Sequence, residues 1–173
     1  MRNYHQAVAI AGTHGKTTTT SMLTEILLKA QADPTISVGG MLDSIQGNIR
    51  IGSSDLFVTE ACEYTNSFLS FFPTMEIILN IEADHLDFFK DLDDIRNSFH
   101  LFAERMPEGG TLIINSDIEH YQEITRGING KIITFGKAEG SMYRAENIEY
   151  DEFARPSYDL IKEGKMLGRI QLG

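Results

Sequence analysis

Gly12-Thr13-His14-Gly15-Lys16-Thr17 gathers two glycines, a lysine and hydroxyl side chains in one short stretch, a combination suited to holding a phosphate chain. Glycine lets main-chain amides come close to an anion. Amides at the start of a helix are unpaired and carry a partial positive charge. Lys16 adds a cation that can reach β and γ phosphates, and Thr17 adds a hydroxyl that can bind Mg²⁺. A full Walker pattern would also have glycine where Ile10 stands, so this is a shortened variant. The plainer reading is a helix capped by threonines beside an exposed lysine. His14 is open to two readings, phosphate contact or simple exposure. Of the run Thr17 to Thr20, only Thr17 and Thr18 lie close enough to the helix start to act on a ligand.

Two further constellations follow apolar runs that read as strands. Glu60-Ala61-Cys62-Glu63 follows Leu56 to Thr59, and Asn80-Ile81-Glu82-Ala83-Asp84-His85-Leu86-Asp87 follows the run from Met75. In open parallel sheets ligands bind beyond the carboxyl ends of strands, so these segments and the glycine turn can meet on one rim. Mg²⁺ takes oxygen ligands, usually one or two carboxylates with phosphate and water, and Glu60 is the candidate carboxylate. Glu63 either supports a ligand from behind or faces solvent, and solvent is the favoured reading. His85, between Asp84 and Asp87, is a candidate ligand. Asn80 is read either as orienting a γ-phosphate or water, or as a strand-end hydrogen bond. His5, His100 and His120 read as surface or packing residues. Cys62 sits between glutamates, which disfavour a thiolate nucleophile.

The elements that must position these groups follow from periodicity. Ala7 to Ala11 is a buried strand. Thr17 to Ala30 is a helix with Met22, Ile26 and Ala30 in one row and Leu23 and Leu27 beside it. It ends near Pro34. Further strands are expected at 34–38, 48–51, 56–59, 75–81, 110–115 and 131–135, and helices at 93–106 and 118–126. Phe68 to Pro73 reads as core or as an apolar patch, and Asp91 to Asp94 as an acidic helix start. Alternation of strands and helices predicts an α/β fold, a P-loop-like, mostly parallel sheet flanked by helices. Residues 1–140 form that part. Residues 141–173 lack a helical period and show alternating pieces around Glu163-Gly164-Lys165, which predicts a small antiparallel sheet attached to the parallel one at the C-terminal end.

The 173 residues carry a formal charge of −10, with 42% hydrophobic and 23% charged residues. That is ordinary globular composition with enough chain for a core. An acidic chain has no broad attraction for nucleic acid or an anionic membrane, so neither is an expected partner. One cysteine allows no internal disulfide. No apolar run approaches the roughly 18 residues that span a bilayer, and the start lacks a secretory layout. A cytoplasmic location is the default expectation. No terminal helix covers the last alternating pieces, so the chain reads as a segment of a longer protein.

Taken together, Gly12 to Thr18, Glu60 to Glu63 and Asn80 to Asp87 resemble the central domain of the Mur ligases, and the resemblance covers nearly the whole chain. Within that family, 57–115 looks closest to the branch joining L-alanine to UDP-N-acetylmuramate. The resemblance implies a three-domain, ADP-forming enzyme of peptidoglycan precursor synthesis. ATP phosphorylates the substrate carboxylate, and the amine of L-alanine attacks the acyl phosphate. It implies that Gly12, Thr13, His14, Gly15, Lys16, Thr17 and Thr18 bind the nucleotide. It also implies that Lys16 holds phosphates, that Thr17 and Glu60 bind a first Mg²⁺, and that His85 binds a second metal; with Asn80 from the reading above, Lys16 and His85 are the candidate catalytic residues. Several sister ligases carry a modified lysine where Phe99 stands here, and the alanine-adding branch lacks it too. The family's adenine-contacting His-Asn-x-x-Asn motif would follow Gly173, and the UDP-sugar domain would precede Met1. The segment alone is therefore expected to be inactive as a ligase. Other readings are a muropeptide or folylpolyglutamate ligase of the same superfamily, an NTPase switch, and a non-catalytic fragment.

Overall fold

The computed structural model describes residues 1–173. Strands β1 (Gln6–Ala11), β2 (Thr35–Leu42), β3 (Gly47–Arg50), β4 (Leu56–Ala61), β5 (Met75–Ile78), β6 (Thr111–Asn115) and β7 (Lys131–Phe135) alternate with helices α1 (Lys16–Lys29), α2 (Leu92–Ala103) and α3 (Tyr121–Thr125). Three more strands follow, β8 (Tyr143–Tyr150), β9 (Pro156–Lys162) and β10 (Lys165–Gln171). All ten form one sheet in the order β10-β9-β8-β7-β6-β5-β1-β4-β2-β3. From β2 to β7 the neighbours run parallel, whereas β3, β9 and β10 pair antiparallel. The antiparallel tail is thus attached to the parallel sheet, as expected. β8 continues the parallel sheet through a single register pair, Phe135 with Tyr143.

The strands are buried because helices cover both faces. On one face Ile95, Phe99 and Phe102 of α2 and Ile124 of α3 close over Ala9, Ala11, Ile78, Leu112 and Ile114. Small alanines on β1 leave room for Phe68, which stacks on Phe102 at 4.5 Å between ring centres and meets Phe99 edge-on at 5.3 Å. Phe68 belongs to a short 3₁₀ turn, Tyr64–Ser70, that the apolar pattern alone leaves unassigned. The Asp91 side chain accepts from the Asp94 amide and caps α2, as its acidic start implies.

The opposite face is covered by α1, whose phase differs from the expected one. Thr20 and Thr24 are buried, and Leu23 and Leu27 pack on Val8, Ile10 and Val58. Met22 and Ile26 are 44% and 62% exposed. The loop that precedes the helix decides this. Lys16 turns inward at the first helical position, and residues four, seven, eight and eleven places later share its side of a 3.6-residue helix. The row at Met22 and Ile26 therefore points outward despite its apolarity. Helix 118–126 is likewise shorter than its pattern, because His120 adopts a positive φ of 59° and α3 begins only at Tyr121. No helix is long and apolar enough to cross a membrane.

Candidate functional site

β1, β4 and β5 run parallel and adjacent, so the segments leaving their carboxyl ends share one rim. The glycine turn leaves β1 and enters α1. Gly12 has φ 145°, and a Cβ there would stand 3.0 Å from the Leu79 Cβ and 3.2 Å from the Asn80 backbone. Gly15 has φ 83° and occupies the N-cap of α1. Both positions need glycine for backbone reasons, and Gly12 also needs it because the turn lies against the end of β5.

That contact is tied by hydrogen bonds. The Thr13 amide donates to the Asn80 carbonyl (3.2 Å), and the His14 amide donates to Asn80 Oδ1 (2.8 Å). Asn80 Nδ2 returns a bond to the His14 carbonyl (3.0 Å), and the Glu82 amide donates to Thr13 Oγ1 (2.9 Å). Strand β5 stops at Ile78 rather than continuing to 81, which frees Asn80 for this bracing. The strand-end reading of Asn80 is therefore realised in the structure. His14 is exposed and stands 3.7 Å from Glu82, a pair that water screens. Asn115, at the end of β6, donates to the Leu79 carbonyl (3.0 Å) and extends the brace.

The acidic segment after β4 faces the same turn. Thr17 Oγ1 donates to Glu60 Oε2 at 3.0 Å, and the Gly39 amide donates to Glu60 Oε1 at 2.6 Å. A Cβ on Gly39 would fall 2.8 Å from Glu60 Oε2, so glycine makes room for the carboxylate. Lys16 Nζ donates to the Gly12 carbonyl (2.5 Å) and approaches Glu63 Oε2 (3.0 Å). Here the expectation fails. Glu63 does not face solvent: its side chain is 2% exposed, and that of Lys16 is 16% exposed. A carboxylate so buried requires a nearby cation, and Lys16 supplies it. Cys62, by contrast, is exposed.

His85 has a different setting. Its ring lies 4.5 Å from that of Tyr64, at a 32° tilt. Asp84 accepts from the His85 amide, and Asp87 accepts from the Tyr64 hydroxyl at 2.9 Å. This bond to Asp87 pushes the Tyr64 phenol above its ordinary pKa. Tyr64 follows Glu63 directly, so His85 borders the Lys16 cluster through one residue. No group of three His, Cys, Asp or Glu side chains is close enough to hold a metal by itself. At the start of α1, Thr17 Oγ1 and Glu60 Oε2 stand 3.0 Å apart, two hard donors of the kind Mg²⁺ takes when phosphates and water complete its shell.

Gly39, Tyr64 and Asn115 are contributors that spacing alone does not single out. Gly39 had a visible signal, since a Gly-Gly pair follows the apolar run 34–38, although β2 carries on through it to Leu42. A concavity of about 550 Å³, lined in part by Met106, Pro107 and Ile128, lies at the amino ends of β6 and β7, away from these residues. The site is recognised by convergence of side chains rather than by cavity size.

Comparison with known proteins agrees with this geometry. Residues 10–172 match the Mur ligase middle domain model. The chain is 59% identical over its full length to the UDP-N-acetylmuramate–L-alanine ligase of Lachnospira eligens, and 56% identical over 99% to that of Agathobacter rectalis. It spans 38% of the length of each. Among solved structures, UDP-N-acetylmuramate–alanine ligase from Thermotoga maritima matches 97% of the chain with a TM-score of 0.80 at 27% identity, the chain covering 37% of that protein. The UDP-N-acetylmuramate:L-alanyl-γ-D-glutamyl-meso-diaminopimelate ligase of Neisseria meningitides matches 96% with a TM-score of 0.78 at 28% identity, and 55% of that chain is covered. On a family match of this extent, the chain belongs to the Mur ligase middle domains.

Proposed function

We propose that this chain is the ATP-binding part of an ADP-forming ligase that joins L-alanine to UDP-N-acetylmuramate in peptidoglycan precursor synthesis. The observation that carries the reading is the meeting of Lys16, Thr17 and Glu60 on the rim beyond β1 and β4, in a chain 59% identical to a ligase of that name. The amides of Gly15 and of the start of α1 receive the β and γ phosphates, while those of Thr13 and His14 stay tied to Asn80, and Lys16 neutralises charge on the phosphates. Thr17 and Glu60 would hold Mg²⁺, and His85 a second metal. Bound there, such ions would withdraw charge from phosphate oxygens and open the γ-phosphorus to attack by the substrate carboxylate, with ADP leaving. Asn80 keeps the turn at the end of β5, so the phosphate cradle is fixed before ligand arrives. Phosphorylation of the UDP-N-acetylmuramate carboxylate converts a poor acyl donor into an acyl phosphate. The L-alanine amine then displaces inorganic phosphate to form the amide.

The test is made in a complete ligase carrying this segment. Lys16→Ala is expected to lower ADP release, measured with UDP-N-acetylmuramate and L-alanine, by about a hundredfold or more. The substitution also leaves the buried Glu63 carboxylate without its cation, so a stability loss of about 3 kcal/mol or more accompanies it, and turnover is compared at a temperature where the variant stays folded. Normal turnover in that variant ends the phosphate assignment. ADP release without either co-substrate favours an NTPase switch, and a tripeptide acceptor used in place of L-alanine favours the muropeptide branch. His85→Ala should shift the Mg²⁺ concentration needed for half-maximal rate, and an unchanged metal requirement removes its ligand role.

A further inference from the structure

The Lys16 ammonium has three N–H donors. In this structure it meets the Gly12 carbonyl (2.5 Å), the Thr13 carbonyl (3.3 Å) and the Glu63 carboxylate (3.0 Å to Oε2, 3.5 Å to Oε1). No proton is left for a phosphate oxygen, so a polyphosphate gains Lys16 only by displacing one of these acceptors. Two are neutral carbonyls of the turn itself. The third is a full negative charge, 2% exposed, standing where an incoming anion must come close. Water cannot screen a charge so buried, and like charges brought together there repel.

Glu63 is also held firmly. Its carbonyl accepts from the Asn66 amide (2.9 Å), and the Cys62 carbonyl accepts from the Phe68 amide (3.1 Å). Phe68 is fully buried between Phe99 and Phe102. The carboxylate is therefore anchored through one short turn to the main core, whereas Lys16 reaches it on a flexible four-carbon stem. When the pair separates, Lys16 is the partner that moves.

We propose that Glu63 is a positioning residue that tethers Lys16 beside the phosphate loop and is exchanged for phosphate when a polyphosphate binds, so that it sets the affinity of the loop. The inference rests on the phosphate-loop reading above and assigns that site a regulator of its own affinity. The tether keeps the ammonium located beside the turn, at the expense of tighter binding.

Calorimetric titration of the 173-residue chain with tripolyphosphate and Mg²⁺ tests it, because this probe needs no base pocket. Glu63→Gln keeps the shape and removes the charge, and it is expected to bind about tenfold more tightly than the parent. Glu63→Asp keeps the charge but draws it back by one methylene. It loosens the hold on Lys16 and is expected to bind about threefold more tightly, which provides a second reading should the glutamine variant not fold. A purely structural role predicts a lower melting temperature with affinity unchanged or weakened, and that result in the folded variants overturns the tether. Lys16→Ala, measured alongside, should weaken binding at least about tenfold. If Lys16→Ala weakens binding while the Glu63 variants do not tighten it, the tether alone falls. If Lys16→Ala binds as the parent does, the phosphate-loop reading falls and the tether with it.

Discussion

On one face of the sheet fifteen buried residues form a continuous core beneath α2, α3 and the Tyr64–Ser70 turn; on the other, α1 closes over three, Val8, Ile10 and Val58. The thick face has the large aromatics. The thin face has the helix that begins at the phosphate turn. Stability and ligand binding are thus drawn from opposite sides of the same strands. A region that must rearrange around a ligand belongs at the lightly anchored end of the stability scale. Lys16 and Glu63 join the two, since Glu63 is anchored in the thick face and Lys16 rides on the helix of the thin one.

The sharpest way to break this contrast is to remove a large side chain from each face. Phe99 is fully buried, and Phe99→Ala should cost about 3–5 kcal/mol in denaturant unfolding. Leu23 is only partly buried against the thin face, and Leu23→Ala should cost about 1 kcal/mol by the area it covers. Equal losses at the two positions would show that α1 is as strongly anchored as α2.

Glu76 sharpens the comparison differently. It shares a face with Ile78 and lies in register with Ala9 and Leu112, all members of the thick core. Neither carboxyl oxygen has a hydrogen-bond partner, and burial pushes its pKa from 4.5 up to about 9. The folded protein keeps this proton while the unfolded chain releases it above its ordinary pKa. Stability is therefore greatest below about pH 4.5 as far as this group is concerned, and it falls as pH rises towards 9. The expected slope is about 1.4 kcal/mol per pH unit within that window. Glu76→Gln should flatten the slope in urea titrations at pH 6 and pH 8. A parent stability that is level across that interval would mean the carboxylate finds water or a partner.

What could be foreseen divides along physical lines. The phosphate turn was legible because glycine spacing before a lysine is a local property, and the parallel sheet because its strands are continuous apolar runs. Glu63 was not, because its partner lies 47 positions away and nothing local marks a glutamate as buried. Glu76 was hidden for the opposite reason. Its strand is so apolar that a single carboxyl does not alter the reading. The order of β8 to β10 follows from alternation, but their joining to β7 depends on one register pair, which no pattern in the tail encodes.

The phase of α1 yields the smallest predicted effect. Met22 and Ile26 fall on a helical row whose apolarity favours burial, yet Ile26 is 62% exposed. If Lys16 and the phosphate turn set the rotation of the helix, the outward row is free of packing demands. Ile26→Gln should then change stability by no more than about 0.5 kcal/mol in urea unfolding, as for an exposed surface site. Thr24→Gln, on the inward row, has to place a longer polar side chain against the sheet and should cost about 1–3 kcal/mol. A large loss at Ile26 would mean that its row is covered in solution. The thin face would then be thicker than the strands and α1 alone provide.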